Sequence, residues 1–163
     1  MPSPKYPLQP LLEHRARGVE TATAELGASV QQREHAEAVQ RRAEADKRSA
    51  EEQQAALRED ERARLGRGEL SVADLARAGA WEIGAQAALG HLARAVDAAE
   101  TKASDLRDAE AEARDALARS MADRDVVAKD RARFDERAKK AVLTAEEEAA
   151  EEARRPPGRA AGS

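Results

Sequence analysis

All six prolines of this 163-residue chain lie near its ends: Pro2, Pro4, Pro7 and Pro10 at the start, Pro156 and Pro157 at the finish. Between Leu11 and Arg155, therefore, nothing removes a backbone N–H donor or forces the clash by which proline breaks a helix. Composition says what so long an uninterrupted span can be. Leu, Ile, Val and Phe make up about 14% of the residues, below the roughly 20% under which a chain struggles to build a core. Ala, Glu, Lys, Leu and Arg together make up about 63%, with 40 alanines among them, and more than about half is the mark of long helices and coiled coils. The 28 basic and 32 acidic residues nearly cancel to a net charge of −4, unlike the single-sign excess of a disordered tail. A compact multilayer fold is excluded as a first reading, and an all-α coiled coil takes its place.

The same inventory narrows function. With no cysteine there is no disulfide framework, thiolate zinc site or cysteine nucleophile. Residues 1–12 carry one lysine and four prolines without an apolar run, so they do not read as a secretory signal peptide. No stretch approaches the 18 or so apolar residues of a membrane span. The expectation is a soluble protein that stays in the cytosol or leaves it by a signal-independent route.

Glycine marks the one internal break, because Gly66 and Gly68 flank Arg67 where a helix would need its C-terminal cap. Just beyond, Ser71 and Asp74 have the spacing of an N-terminal capping box. The segments expected are an unstructured N-terminus (1–7), a first long helix (8–65), a tip with a short helical turn (66–77), a second long helix (78–153) and an unstructured tail (154–163). Gly18, Gly27, Gly79, Gly84 and Gly90 fall inside the helices as soft points or close contacts.

Seven-residue periodicity indicates that the helices pair. Ala78, Ala85, Leu92, Ala99, Leu106, Ala113, Ser120, Val127, Phe134 and Ala141 are ten consecutive uncharged heptad positions in a chain that is 37% charged. The companion series runs Leu89, Val96, Ala103, Glu110, Leu117, Arg124, Arg131, Ala138 and Ala145, and the two form a coiled-coil seam. In the first helix Leu12, Val19 and Leu26 share one register, while Ala36, Ala43, Ala50 and Leu57 share another. The ten-residue step from 26 to 36 reads as a stammer, with local overwinding. Folding the chain about residue 71 sets Ala36 opposite Leu106, Ala43 opposite Ala99, Ala50 opposite Leu92 and Leu57 opposite Ala85, with Arg33 near Glu110. This predicts a long antiparallel two-helix hairpin, satisfied as a monomer, with about 20 residues of the second helix overhanging and Glu146 to Glu148 on the overhang.

Chemistry is conspicuous by the lack of means for it. His14, His35 and His91 are not brought together by the hairpin register and read as surface residues. Two paired helices offer no concave interior to shift the pKa of a catalytic carboxylate, and Gly66-Arg67-Gly68 lacks the context of a phosphate loop. No enzyme, cofactor or metal is expected. Arginines alternate with acids at helical spacing, as in Glu59 with Arg62 and Glu110 with Arg114, and so read as solvated pairs. With three aromatic residues there is no stacking platform, so nucleic acid is not an expected partner. Balanced polar faces argue equally against a membrane surface. Protein recognition remains. Trp81, outside both seam series, either folds over Leu70, Val72 and Leu75 to cap the tip or contacts a partner.

The ends of the chain carry a resemblance. The opening KYPLQPLLEHRARGVETATAEL, an aromatic-x-Leu-x-x-Leu-Leu element running into a polar helix, resembles the start of the FliJ and YscO family of type III secretion proteins. The far end, from Arg124 through KDRARFDERAKKAVLTAEEEAAEEA, is similar to the family's second helix, a basic and aromatic stretch leading into an acidic, alanine-rich close. The resemblance implies a cytoplasmic stalk, peripheral to the export apparatus at the inner membrane. Both chain ends would enter the hexameric export ATPase, promoting its assembly and activity, and the tip would face the cytoplasmic domain of the export gate. The ATPase-facing residues it implies are Leu8, Leu11, Leu12, Arg15, Arg131, Phe134 and Arg137, and the gate-facing ones Trp81 and Leu89. The first-helix tyrosines that family members often carry near the gate contact are missing here. Secretion chaperones are a further partner class that the resemblance leaves open, as it does the choice between flagellum and injectisome. The alternatives are a generic coiled-coil adaptor and a homodimeric structural rod.

Overall fold

The computed structural model describes residues 4–154 and consists there of two helices, α1 (Gln9–Gly66) and α2 (Val72–Arg154). They pack against each other as an all-α helical hairpin without strands among the described residues. Contacts gather into two compact units: a turn unit, Glu25–Arg114, and an end unit made of Met1–Ala24 with Asp115–Ser163.

In the turn unit the reversal is made by two caps back to back. Gly68 takes the left-handed conformation (φ 68°), which a side chain disfavours. There its N–H donates to the carbonyl of Leu65 (3.0 Å) and that of Glu69 donates to Arg64 (3.0 Å), the paired bonds of a Schellman close. Three residues later Ser71 Oγ accepts from the backbone N–H of Asp74 (3.2 Å), and the Asp74 carboxylate accepts from the backbone N–H of Ser71 (2.9 Å). This reciprocal capping box starts α2 at Val72, so the expected tip of 66–77 shrinks to five residues between the helices. The short helical turn anticipated there is the first turn of α2 itself.

The α2 seam follows the predicted heptads. From Ala78 to Ala113 in the turn unit, and from Ser120 to Phe134 in the end unit, every position of the first series is buried or half-buried, as is the companion series from Leu89 to Ala138. Ala141 and Ala145 depart from it: they are exposed, as is every residue from 139 to 154.

Helix α1 corrects the stammer. Leu12, Val19 and Leu26 continue without a shift through Arg33, Gln40, Lys47, Gln54 and Glu61, all buried or half-buried, and Ala22, Ser29, Ala36, Ala43 and Ala50 form the companion series. The apolar residues cross from one series to the other while the seam itself runs on. Leu57, assigned to the seam by sequence, is 51% exposed and lies at its edge, while Gln54 is buried. Ala36, Ala99 and Leu106 do line a common groove, and Arg33 is ion-paired with Glu110.

Tyr6 corrects the boundary at the other end. Expected in an unstructured stretch, it is buried, its ring 5.4 Å from that of Phe134 at an interplanar angle of 58°. The expected unstructured tail lies, from residue 155 onward, outside the described residues, and Arg154 closes α2.

Candidate functional site

In the end unit Tyr6 is buried against α2. Its hydroxyl donates to Asp130 Oδ2 at 2.7 Å. Burial, with Asp130 beside it, raises the phenol above its ordinary pKa, so it remains a donor. Arg131 donates to Gln9 Oε1 at 2.6 Å, and Arg15 is paired with Asp123 at 3.2 Å. These contacts sort the residues implied to face an ATPase. Arg131 and Arg15 join the two helices, Phe134 packs against Tyr6 just ahead of α1, and Leu12 is half-buried on the α1 seam. Leu8 and Leu11, in contrast, are exposed. Arg137 is exposed and donates to the backbone carbonyl of Arg133 at 3.3 Å. Sequence reasoning passed over Tyr6 as a site residue, although the hairpin register, run to the chain end, already sets it near Phe134.

Ion pairs join the helices of the turn unit: Arg58 with Glu82 (2.7 Å), Arg107 with Glu37 (2.9 Å), and Arg33 with Glu110. Arg33, hydrogen-bonded to Glu110, holds that carboxyl below the usual range, and Arg107 does the same for Glu37. Glu110 is buried, so its pair with Arg114 is not the solvated pair expected. Trp81 and Leu89 line a groove with Ala50, Leu57, Ala85 and Ala88. The structure thus brings together the two residues implied to face a gate. Nearer the turn, Trp81 shares a second groove with Leu70 and Ala78. It does not cover Val72, which is 85% exposed.

His14, His35 and His91 are exposed, and His91 meets Arg94 at 2.9 Å. Among the described residues no cluster of histidine and acidic side chains could hold a metal, and no helix is long and apolar enough to cross a membrane.

The fold defines a class, an all-α helical hairpin, with Leu8, Leu11 and Arg137 exposed in its end unit and a groove at Trp81 in its turn unit. No family model, curated protein or solved structure matches the chain.

Proposed function

We propose that the protein is a stalk of a type III export apparatus, acting in the cytoplasm by contact and not by catalysis. The observation that carries the reading is the end unit, where Leu8, Leu11 and Arg137 are exposed and α2 continues over residues 139–154 with every side chain exposed. That is helical surface in want of a partner, in the region where the sequence resembles a family whose chain ends enter a hexameric ATPase. An asymmetric hairpin in a symmetric ring biases the conformations of its subunits, which is a coupling free energy and needs no chemistry from the stalk. At the other end, Trp81 and Leu89 would meet the export gate.

The test mixes the purified chain with the export ATPase of the same organism and follows ring assembly and ATP hydrolysis. Both should rise, and Leu8→Asp with Leu11→Asp should abolish the rise without lowering Tm, because both side chains are exposed. Leu12 and Phe134 are poor probes, since their replacement would damage the hairpin itself. Unchanged stimulation by the double variant, or no stimulation by the wild-type chain, rejects the reading.

A further inference from the structure

Residues 4–7 precede α1, and among them Tyr6 alone is buried (8% exposed), while Pro4, Lys5 and Pro7 are exposed. A single side chain therefore seats the segment on α2. The Tyr6 ring lies 5.4 Å from that of Phe134, its hydroxyl donates to Asp130 Oδ2 at 2.7 Å, and the carbonyl of Val127 is 3.4 Å away.

The segment is separable from the hairpin on three counts. Among the described residues no backbone hydrogen bond joins residues 4–7 to α2, so only the Tyr6 side chain has to leave. The start of α1 takes one bond from the segment, Gln9 N–H to the carbonyl of Tyr6 at 3.2 Å, and this bond spans three residues and does not depend on where the ring lies; the next, Leu12 N–H to the carbonyl of Leu8 at 3.0 Å, lies beyond the segment. Pro4 and Pro7 have no N–H to leave unpaired, and their fixed φ narrows the conformations open to the lifted segment, which keeps the seat easy to regain.

What lies under Tyr6 has the composition of a binding surface. Phe134 stands among Arg131, half-buried, and Arg133 and Arg137, both exposed, and aromatic and arginine side chains are the ones that dominate protein contacts. A partner that takes Phe134 must first displace Tyr6, so its apparent affinity is lowered by the fraction of chains in which the segment is lifted. We propose that residues 4–7 are a detachable strap: seated, Tyr6 covers Phe134 and withholds it from the export ATPase, and binding to the ring lifts it. The inference rests on the stalk reading for its partner, while the strap itself is tested without one.

Tyr6 is the sole tyrosine, so the full chain grown with ring-13C tyrosine shows this one ring, shifted from the position of free tyrosine by the ring current of Phe134. On heating, the Tyr6 signals should reach the free position about 10 °C or more below the Tm of the helices, as a separately opening unit does. Adding the export ATPase at a temperature where the strap is closed should move them there too, and Tyr6→Ala should reach half-maximal stimulation of ATP hydrolysis at a chain concentration roughly threefold lower or more. Signals that leave the docked position only at the helical Tm would overturn the strap, as would signals that stay docked while the chain stimulates the ATPase, or a Tyr6→Ala chain that stimulates no better than the wild type. If the wild-type chain leaves the ATPase unstimulated, the stalk reading fails by itself and the heating experiment decides the strap.

Discussion

Asp74 shows how one side chain sets the start of a helix. Its carboxylate accepts from the Ser71 hydroxyl (2.6 Å) and backbone N–H (2.9 Å), with Arg77 beside it. Its pKa accordingly falls from 3.8 to about 2. A depressed carboxyl stabilises the fold fully above its unfolded value, and the contribution is lost as pH drops from about 4 through about 2. The Asp74 carboxyl resonance should therefore titrate with a midpoint of about 2 in the wild-type chain and move toward 3.8 in Ser71→Ala. The same variant should cost about 1 kcal/mol in denaturant unfolding, as lost caps do. Glu110 is the other residue whose environment makes a prediction. Buried and held by Arg33, it is left without that partner in Arg33→Leu, which should lower Tm by roughly 5 °C or more. Adding Glu110→Leu should recover most of the loss, because a leucine pair needs no counterion. The pairing was legible in the sequence, since both seams are polar at those positions. The burial of Glu110 was not, because an acid three or four residues from an arginine looks the same on a solvated face.

At the scale of the element, the α2 seam could be read nearly whole and the α1 seam only in part, at Leu12, Val19, Leu26, Ala36, Ala43 and Ala50. The α2 seam is marked by alanine, leucine, valine and phenylalanine at nearly every turn, so its period is visible in the residue types alone. In α1 the seam passes through Arg33, Gln40, Lys47, Gln54 and Glu61. Long side chains lay their methylene stems along a partner helix while their polar ends reach outward, and such positions carry no apolar label. A stammer was the price of expecting every seam residue to be hydrophobic. Gln54 is where the burial leaves a defect, an amide nitrogen without a partner. Gln54→Leu should raise the unfolding free energy by about 1 kcal/mol or more, the range for relieving a buried unsatisfied donor; an unchanged or lower value in urea titration would mean that water reaches the amide. The element ends follow the same logic. Gly68 and the Ser71 box were visible as types at fixed spacing, whereas Tyr6 is ordered by a residue far along the chain, and local sequence carries no trace of that.

For the whole molecule, the hairpin's stability should be indifferent to residues 139–154, whose side chains are all exposed. A chain ending at Ala138 should lose far-UV helical signal in proportion while its Tm moves by no more than about 2 °C, the scale of a perturbation under 1 kcal/mol. A larger fall in differential scanning calorimetry would show that the extension is held by contacts. If the Tm holds and ATPase stimulation is lost, the extension serves a partner and not the fold. The sequence by itself determined that there are two long helices, that they break at Gly66 to Ser71, that α2 has one continuous seam, and that no cysteine chemistry is available. Each of these is a one-dimensional property, a proline position, a cap or a period, that a helix carries without reference to its neighbour. The tertiary structure alone decided which polar residues the seam buries, that Tyr6 is buried with its hydroxyl on Asp130, and that Trp81 and Leu89 line one groove. Burial belongs to both helices jointly: a position is inside only once a second helix has been laid against it, and neighbouring residues are turned from one another by about 100°.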